Sequence, residues 1–213
     1  MDSDPTKPAV AADREQTEAA AVRHLFRNQI QAMTSLVGLF GRKLPPGEGR
    51  DAFMDLRARF EAATFGPADD ALPDQDGRFE IDLAEVARRV AGHLDPNFRH
   101  RLAIAGSLIL ADPKRASALA QILAELVVDL FRNGFADGRT GAAEIVISGA
   151  ADGSLMMRAV QTAPADASPR RDRSDLGAAI ADSLARSLGG SIARAADGPL
   201  SSEVTIPAER ASR

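Results

Sequence analysis

Cysteine, tryptophan and tyrosine are all absent from the 213-residue sequence. Without cysteine the chain has no disulfide, no thiolate metal site and no cysteine nucleophile. Nine phenylalanines are its only large aromatic side chains. The stacking platforms that bind single-stranded nucleic acid are therefore not expected, and the net charge of −4 argues against a general DNA-binding protein.

Long apolar runs are lacking as well. No run of about 18 apolar residues is present to span a bilayer. The first residues, Met1-Asp2-Ser3-Asp4-Pro5, lack the apolar core of a signal peptide. We therefore expect a cytoplasmic protein that makes no contact with a membrane. The hydrophobic content of 45% and charged content of 26% are typical of a globular domain.

Apolar residues recur at helical spacing between residues 17 and 43, which predicts one long amphipathic helix. Its solvent-facing side carries His24, Asn28, Gln31 and Ser35. The opposite side comprises Val22, Phe26, Gln29, Met33, Leu36, Val37 and Phe40. A turn rich in proline and glycine at 44–49 leads to a second predicted helix, from about Arg50 to Phe65. Two helices joined by a short turn make an antiparallel hairpin.

Each helix of this hairpin has a single apolar stripe, so a lone hairpin would leave apolar surface in water. Pairing with a second copy would bury both stripes in a four-helix bundle. We therefore predict a homodimer. In the alternative arrangement, the hairpin packs on the rest of its own chain.

The second half of the sequence alternates between helical and strand patterns. Helices are predicted over 82–93, 116–135 and 175–188, and strands over 101–110, 142–150, 154–161, 191–196 and 202–207. This order predicts an α+β sandwich, with a mostly antiparallel sheet covered on one face by helices. We divide the chain into a disordered tail (1–15), a helical dimerisation hairpin that carries His24 (16–66), a linker rich in proline and glycine (67–80) and a second domain (81–209).

The exposed histidine of the first helix is a candidate nucleophile. A neutral imidazole is available near pH 7 because its reference pKa is ~6.5, and it can attack phosphorus and hold a phosphoryl group covalently. An ordinary surface histidine on a dimerising helix is the alternative interpretation of His24. The other histidines, His93 and His100, have no third ligand nearby in the sequence, so no metal site is expected.

Two segments resemble the sensor histidine kinases of the HWE and related class. His24-Leu25-Phe26-Arg27-Asn28-Gln29-Ile30-Gln31, followed by Ser35-Leu36, resembles their phosphoacceptor helix, with Leu25 where the family has arginine. The stretch 122–139 resembles their N box, Asn-Glu-Leu-x-x-Asn-Ala-x-Lys-His-x-Phe, and 175–192 resembles their last helix. The resemblance covers roughly residues 16–209. It implies that the second domain is a histidine-kinase ATPase-like domain of the GHKL type.

The departures from the family all fall on its nucleotide-binding elements. The family's Mg²⁺-binding asparagine is Asp129 here, the adenine-binding aspartate is Gln161, and the glycine-rich phosphate loop is reduced to Asp175-Leu176-Gly177-Ala178. Residues 154–176 contain no glycine at all. The resemblance therefore implies a degenerate nucleotide site that does not use ATP, formed around Glu125, Asp129, Asn133, Gln161 and Gly177.

A phosphoacceptor histidine without its own ATP indicates a histidine phosphotransferase of a bacterial two-component phosphorelay. The expected partners are receiver domains of response regulators and an upstream histidine kinase, and the receivers supply Mg²⁺, so the chain needs no cofactor or metal of its own. Asn28 and Gln31 would orient the imidazole or the phosphoryl oxygens, and Arg27 would balance their charge. Two alternatives stay open. One is a non-catalytic regulator that binds a kinase, receiver or sigma factor. The other is an atypical ATP-dependent histidine autokinase.

Overall fold

The computed structural model describes residues 25–26, 28–67, 71–106, 108–135, 140–163, 176–195 and 198–209. His24, Arg27 and Asp175 lie outside the described residues, as do the predicted tail at 1–15 and residues 164–174. Within the described part, no helix is long and apolar enough to cross a membrane.

The first half forms a helical hairpin. Residues 25–26 and 28–43 are helical, and we call this helix α1; the second helix, α2, spans Glu48–Ala63. A methyl group added to Gly38 would lie 3.1 Å from Cδ of Arg57, and one added to Gly41 would lie 3.0 Å from Cβ of Phe53. The contacts therefore move back along α2 as they advance along α1. The two helices are antiparallel, as predicted, and glycine lets them approach closely.

The second half combines one main sheet with three further helices. Its elements are β1 (Phe79–Ile81), α3 (Leu83–Leu94), β2 (Arg101–Gly106), β3 (Ile109–Ala111), α4 (Pro113–Asp129), a π-helical turn (Leu130–Gly134), β4 (Ala142–Gly149), β5 (Leu155–Ala163), α5 (Leu176–Ser187), β6 (Ser191–Arg194) and β7 (Ser201–Ile206). Among the described residues, the main sheet has the order β2-β4-β5-β7-β6. Only the β2–β4 pair in this sheet is parallel. The α+β class is confirmed.

The predicted strand over 101–110 is wrong, because this segment forms two strands in two different sheets. β2 pairs with β4 in the main sheet, whereas β3 pairs with β1 in a separate two-stranded sheet, with Phe79 opposite Ala111. β1 was not predicted. Alternation of side chains continues whichever strand is the neighbour, so the sequence pattern does not show that the chain changes sheets after Gly106.

Helix α4 forms the centre of the core. Asp112 caps its beginning, because its Oδ1 accepts hydrogen bonds from the backbone N–H groups of Lys114 (2.8 Å) and Arg115 (3.0 Å). Pro113 follows in the first turn, where proline is favoured. Leu119, Ile122, Leu123 and Val127 are fully buried, and each stabilises the fold by about 1.5–3 kcal/mol relative to exposure. α4 contacts α2, α3 and α5.

The hairpin contacts the second half of its own chain through α2, which packs against α3 and α4. Ala58 and Ala62 of α2 are buried in this contact. Within the described part of the chain, large apolar side chains of α1 are left exposed. Phe26, Leu36 and Phe40 are 61%, 53% and 57% exposed. The contact with the chain's own second half is thus observed, and the four-helix bundle stays a prediction about a second copy.

Candidate functional site

The polar side of α1 lies open to solvent. Asn28, Gln31 and Ser35 are all exposed, as the helical spacing predicted. The Ser35 hydroxyl donates a hydrogen bond of 2.9 Å to the Gln31 carbonyl oxygen. Because residues 28–35 are continuously helical, Asn28, Gln31 and Ser35 share one side. The structure therefore places the predicted neighbours of His24 on an accessible surface, and the geometry at His24 and Arg27 lies outside the described residues.

Glu125 of the N-box segment is buried and paired with an arginine of the hairpin. Nε of Arg59 lies 2.7 Å from Oε1 of Glu125, and Nη2 lies 2.9 Å from Oε2. Glu125 is 4% exposed. Such a bidentate pair combines charge with two directed hydrogen bonds. Sequence reasoning missed Arg59, since nothing in the sequence relates residues on α2 and α4.

A second arginine strengthens the same contact. Arg132, in the π-helical turn after α4, donates from Nε to Oδ1 of Asp55 over 2.9 Å and from Nη2 to the Asp51 carbonyl oxygen over 3.1 Å. Its Nη1 also lies 3.1 Å from Oδ1 of Asp51. α2 is therefore joined to the N-box segment at two places, through Arg59 to Glu125 and through Asp51 and Asp55 to Arg132. π-Helical turns are rare and frequently mark functional sites.

Asp129 and Asn133 interact directly, four residues apart. Nδ2 of Asn133 donates a hydrogen bond of 2.6 Å to Oδ1 of Asp129. Asp129 stands where the resemblance expects a Mg²⁺-binding asparagine. At this position one carboxylate oxygen is engaged by the amide of the chain's own Asn133. No group of three or more His, Cys, Asp or Glu that could hold a metal ion is found in the described ranges.

Gln161 lies near the end of β5 and is 2% exposed. Its backbone N–H donates to the Leu200 carbonyl oxygen over 2.8 Å. Neither Nε2 nor Oε1 of its side chain has a hydrogen-bond partner in the part of the chain that the structure describes. A methyl group on Gly134 would lie 3.5 Å from Oε1 of Gln161. Leaving a buried polar group unpaired costs about 1–3 kcal/mol.

The cleft between α4 and α5 is very small. Glu125, Asp129 and Gly177 line it, together with Leu126, Ala178, Ala181 and Arg194, and its volume is about 10 Å³. Small-molecule sites usually enclose roughly 300–1,000 Å³. The structure thus brings three of the predicted nucleotide-site residues together, while Gln161 and Asn133 do not line this cleft. The part of the cleft that the described residues line is therefore much smaller than a nucleotide with its Mg²⁺.

The two remaining histidines have different partners. Nε2 of His93 contacts a carboxylate oxygen of Glu61 on α2. Nδ1 of His100 accepts a hydrogen bond of 3.2 Å from the Gly141 N–H, and its ring stacks on Phe135 with centroids 4.0 Å apart. Burial lowers the pKa of His100, and Arg99 lowers it further, although Asp95 acts in the opposite direction. Both histidines therefore have structural contacts.

No protein-family model and no curated protein matches the sequence. Solved structures do resemble it. The histidine kinase domain of the Erythrobacter litoralis EL346 blue-light activated histidine kinase superposes with a TM-score of 0.58 at 15% identity, over 84% of this chain and 95% of that one. The EL346 kinase itself gives a TM-score of 0.56 at 15% identity, over 74% of this chain and 54% of that one. The chain therefore has a histidine-kinase-like fold.

Proposed function

We propose that this chain is a histidine phosphotransferase of a bacterial two-component phosphorelay, which passes phosphoryl groups between receiver-domain aspartates through His24 without using ATP. The histidine-kinase-like fold and the exposed polar side of α1 support the class of reaction. One observation supports the part of the proposal that the chain does not use ATP: Glu125 of the N box is buried, and Arg59 binds both of its carboxylate oxygens. The cleft of about 10 Å³ beside it agrees with this reading.

The reaction needs a nucleophile and a surface that positions it. A ring nitrogen of neutral His24 attacks the phosphorus of a receiver's aspartyl phosphate, a P–N bond forms, the P–O bond to the aspartate breaks, and the carboxylate leaves with the electron pair. A second receiver's aspartate then attacks the phosphohistidine in the same way. Positioning and charge balance account for most of phosphoryl-transfer catalysis. Asn28 and Gln31 orient the phosphoryl oxygens, Arg27 balances their charge, and Mg²⁺ belongs to the receivers.

A homodimer is part of this proposal. Large apolar side chains of both hairpin helices are exposed, namely Leu25, Phe26, Met33, Leu36, Leu39, Phe40, Phe53 and Leu56, and those on α1 fall on one side of that helix by their spacing. Contiguous exposed apolar surface of this kind marks a protein interface. A second hairpin would cover it in a four-helix bundle, and the receivers and an upstream kinase would dock on the polar side.

The test is transfer from a phosphorylated receiver to the wild-type chain, compared with His24→Gln. The matched control is His93→Gln, which removes a histidine from another helix. Wild type and His93→Gln are expected to take up phosphate in an acid-labile, base-stable form, and His24→Gln is expected to take up none. Equal labelling of all three proteins would end the proposal.

An atypical ATP-dependent autokinase is the second candidate. It is favoured by one observation, namely that Asp129 and Gly177 line the same cleft, and a carboxylate is a suitable Mg²⁺ ligand. Calorimetric titration with Mg-ATP separates the two functions. Micromolar binding, followed by labelling of His24 from the γ-phosphate, would establish the autokinase. If the chain is only a non-catalytic regulator, the His24→Gln variant would bind the partners as tightly as the wild-type chain does.

A further inference from the structure

A cavity of about 510 Å³ lies where α1, α2 and α3 meet. Thr34 and Ser35 of α1 form one wall, and Arg57 and Glu61 of α2 form another. Its volume falls in the usual range of small-molecule sites, about 300–1,000 Å³. None of its lining residues lines the small cleft beside Glu125, so the cavity is separate from that cleft, although Gln31 of the polar side of α1 also lines it.

Two opposite charges of α2 face this cavity without pairing to each other. Arg57 and Glu61 are four residues apart on one helix, a spacing at which opposite charges usually pair. The Arg57 side chain instead packs across Gly38, and its buried Nε has no hydrogen-bond partner within the described ranges. Glu61 uses Oε2 to contact His93. The guanidinium and the second carboxylate oxygen are therefore left for another partner.

Glu61 carries a negative charge at neutral pH. Burial raises the pKa of Glu61, but the hydrogen bond and charge of His93, together with the charges of Arg57 and Arg89, outweigh burial and hold the pKa below its ordinary value. Arg89 also lines the cavity, and its Nε donates to Oε1 of Glu85 over 2.8 Å. Arg57 is thus the cation here without an ion pair in the described structure.

The remaining walls divide into acceptors and apolar surface. The Thr34 hydroxyl donates to the Ile30 carbonyl oxygen over 2.8 Å, and Ser35 donates to Gln31 over 2.9 Å. Each hydroxyl has a single hydrogen to donate, so both offer only acceptor lone pairs to the cavity. Phe65 supplies apolar surface, and the almost completely buried Val86 and Val90 lie behind the wall. A bound anion alone would face Glu61, and a bound cation alone would face Arg57.

We propose that this cavity binds a small α-amino acid with an apolar side chain. The carboxylate pairs with the Arg57 guanidinium, the ammonium group with Glu61 and the two hydroxyls, and the side chain lies on Phe65. Only a molecule with both charges close together satisfies both groups of α2. This proposal does not depend on phosphotransfer. The cavity walls come from the hairpin and from α3. A bound molecule therefore stabilises the packing of the hairpin on α3.

The experiment is calorimetric titration of the full chain with L-leucine, L-methionine and L-phenylalanine. Two analogues isolate the charges: 4-methylpentanoate lacks the ammonium group of leucine, and 3-methylbutylamine lacks its carboxylate. At least one amino acid is expected to bind and to raise the melting temperature. Each analogue of a bound leucine is expected to bind at least about tenfold more weakly, because hydrogen bonds to charged groups contribute roughly 1.5–3 kcal/mol.

Variants assign the binding to this cavity. Arg57→Met keeps the aliphatic stem on Gly38 and removes the charge, so affinity should fall at least about tenfold. Arg88→Met is the matched control, because Arg88 lies on α3 and does not line the cavity. It should bind like wild type.

Three results would overturn the proposal. The first is an absence of heat and of any melting-temperature shift with all three amino acids at up to about 10 mM, where even millimolar affinity is detectable. The second is unchanged affinity in folded Arg57→Met. The third is equal affinity of the wild-type chain for 3-methylbutylamine and L-leucine. This comparison uses only the wild-type chain, so it decides the question even if Arg57→Met does not fold.

Discussion

Arg59 of α2 holds both carboxylate oxygens of Glu125 in the middle of α4, at 2.7 and 2.9 Å. These residues are 66 positions apart in the sequence. Their pairing joins the helical hairpin to the segment that resembles the N box of histidine kinases. As a consequence, the N-box carboxylate is occupied by the chain's own arginine, which bears on both stability and function.

Replacement of Arg59 by alanine is expected to destabilise the fold by about 2–4 kcal/mol, because it leaves a buried carboxylate without its counter-charge. The partial exposure of Arg59 places the value toward the lower end. Urea unfolding at pH 7 measures the change. Arg88→Ala, which removes a surface pair with Glu85, should cost no more than about 1 kcal/mol. Equal losses in the two variants would contradict this account of Glu125.

Leu36→Glu is expected to convert a dimer into a monomer. Leu36 is 53% exposed on the uncovered side of α1, and a charge there would be buried against the second hairpin without a partner. Leu110→Glu is the matched control, because Leu110 is 55% exposed on β3, away from the hairpin. Sedimentation velocity distinguishes the proteins. A wild-type chain that remains monomeric across a concentration series would rule out the four-helix bundle.

Stability should fall as the pH drops below about 6.5, in part through His100. Burial lowers the pKa of His100 below its ordinary value of 6.5. The unfolded chain therefore takes up the proton first, so the stabilisation is fully present above pH 6.5 and is lost as the pH falls toward the folded-state pKa. The measurement is urea unfolding of wild type and His100→Gln at pH 7.5 and 5.5. A similar pH-dependent loss in both proteins would show that His100 does not contribute.

Phe98→Gly is expected to stabilise the fold. Phe98 has a φ of 51° and is 82% exposed, a conformation that is strained for a bulky residue and open to glycine. Asp95 holds the turn, since its carboxylate accepts from the Arg99 N–H (3.0 Å) and the His100 N–H (2.7 Å). Relief of the strain exceeds the entropy cost of glycine by about 0.5–1 kcal/mol.

Thermal or urea unfolding checks the Phe98 prediction. Asn97→Gly is its control, because Asn97 does not have a positive φ, so glycine there brings only the entropy cost. A loss of stability in Phe98→Gly as large as that in Asn97→Gly would mean that the backbone at Phe98 is not strained.

Helical periodicity predicted the hairpin and the helices of the second half to within a few residues at their ends, apart from the start of α1, which lies outside the described residues. The α2 boundaries at Glu48 and Ala63 lie close to those predicted. Turn residues likewise located the final pair of strands, β6 and β7, which are antiparallel. These features depend on residues that are neighbours in the sequence, so spacing and turn chemistry are sufficient to find them.

Which distant residues meet depends on the tertiary structure. It separates β3 from β2 and pairs β3 with β1, joins Arg59 to Glu125, and joins Glu61 to His93 and not to Arg57 at one wall of a cavity. It also placed Asp129 and Gly177 at one cleft but Gln161 elsewhere. The local elements, the antiparallel hairpin and the lack of glycine at 154–176 can be read from the sequence alone. The contacts between elements that are distant in the chain depend on packing in three dimensions, which residue spacing does not specify.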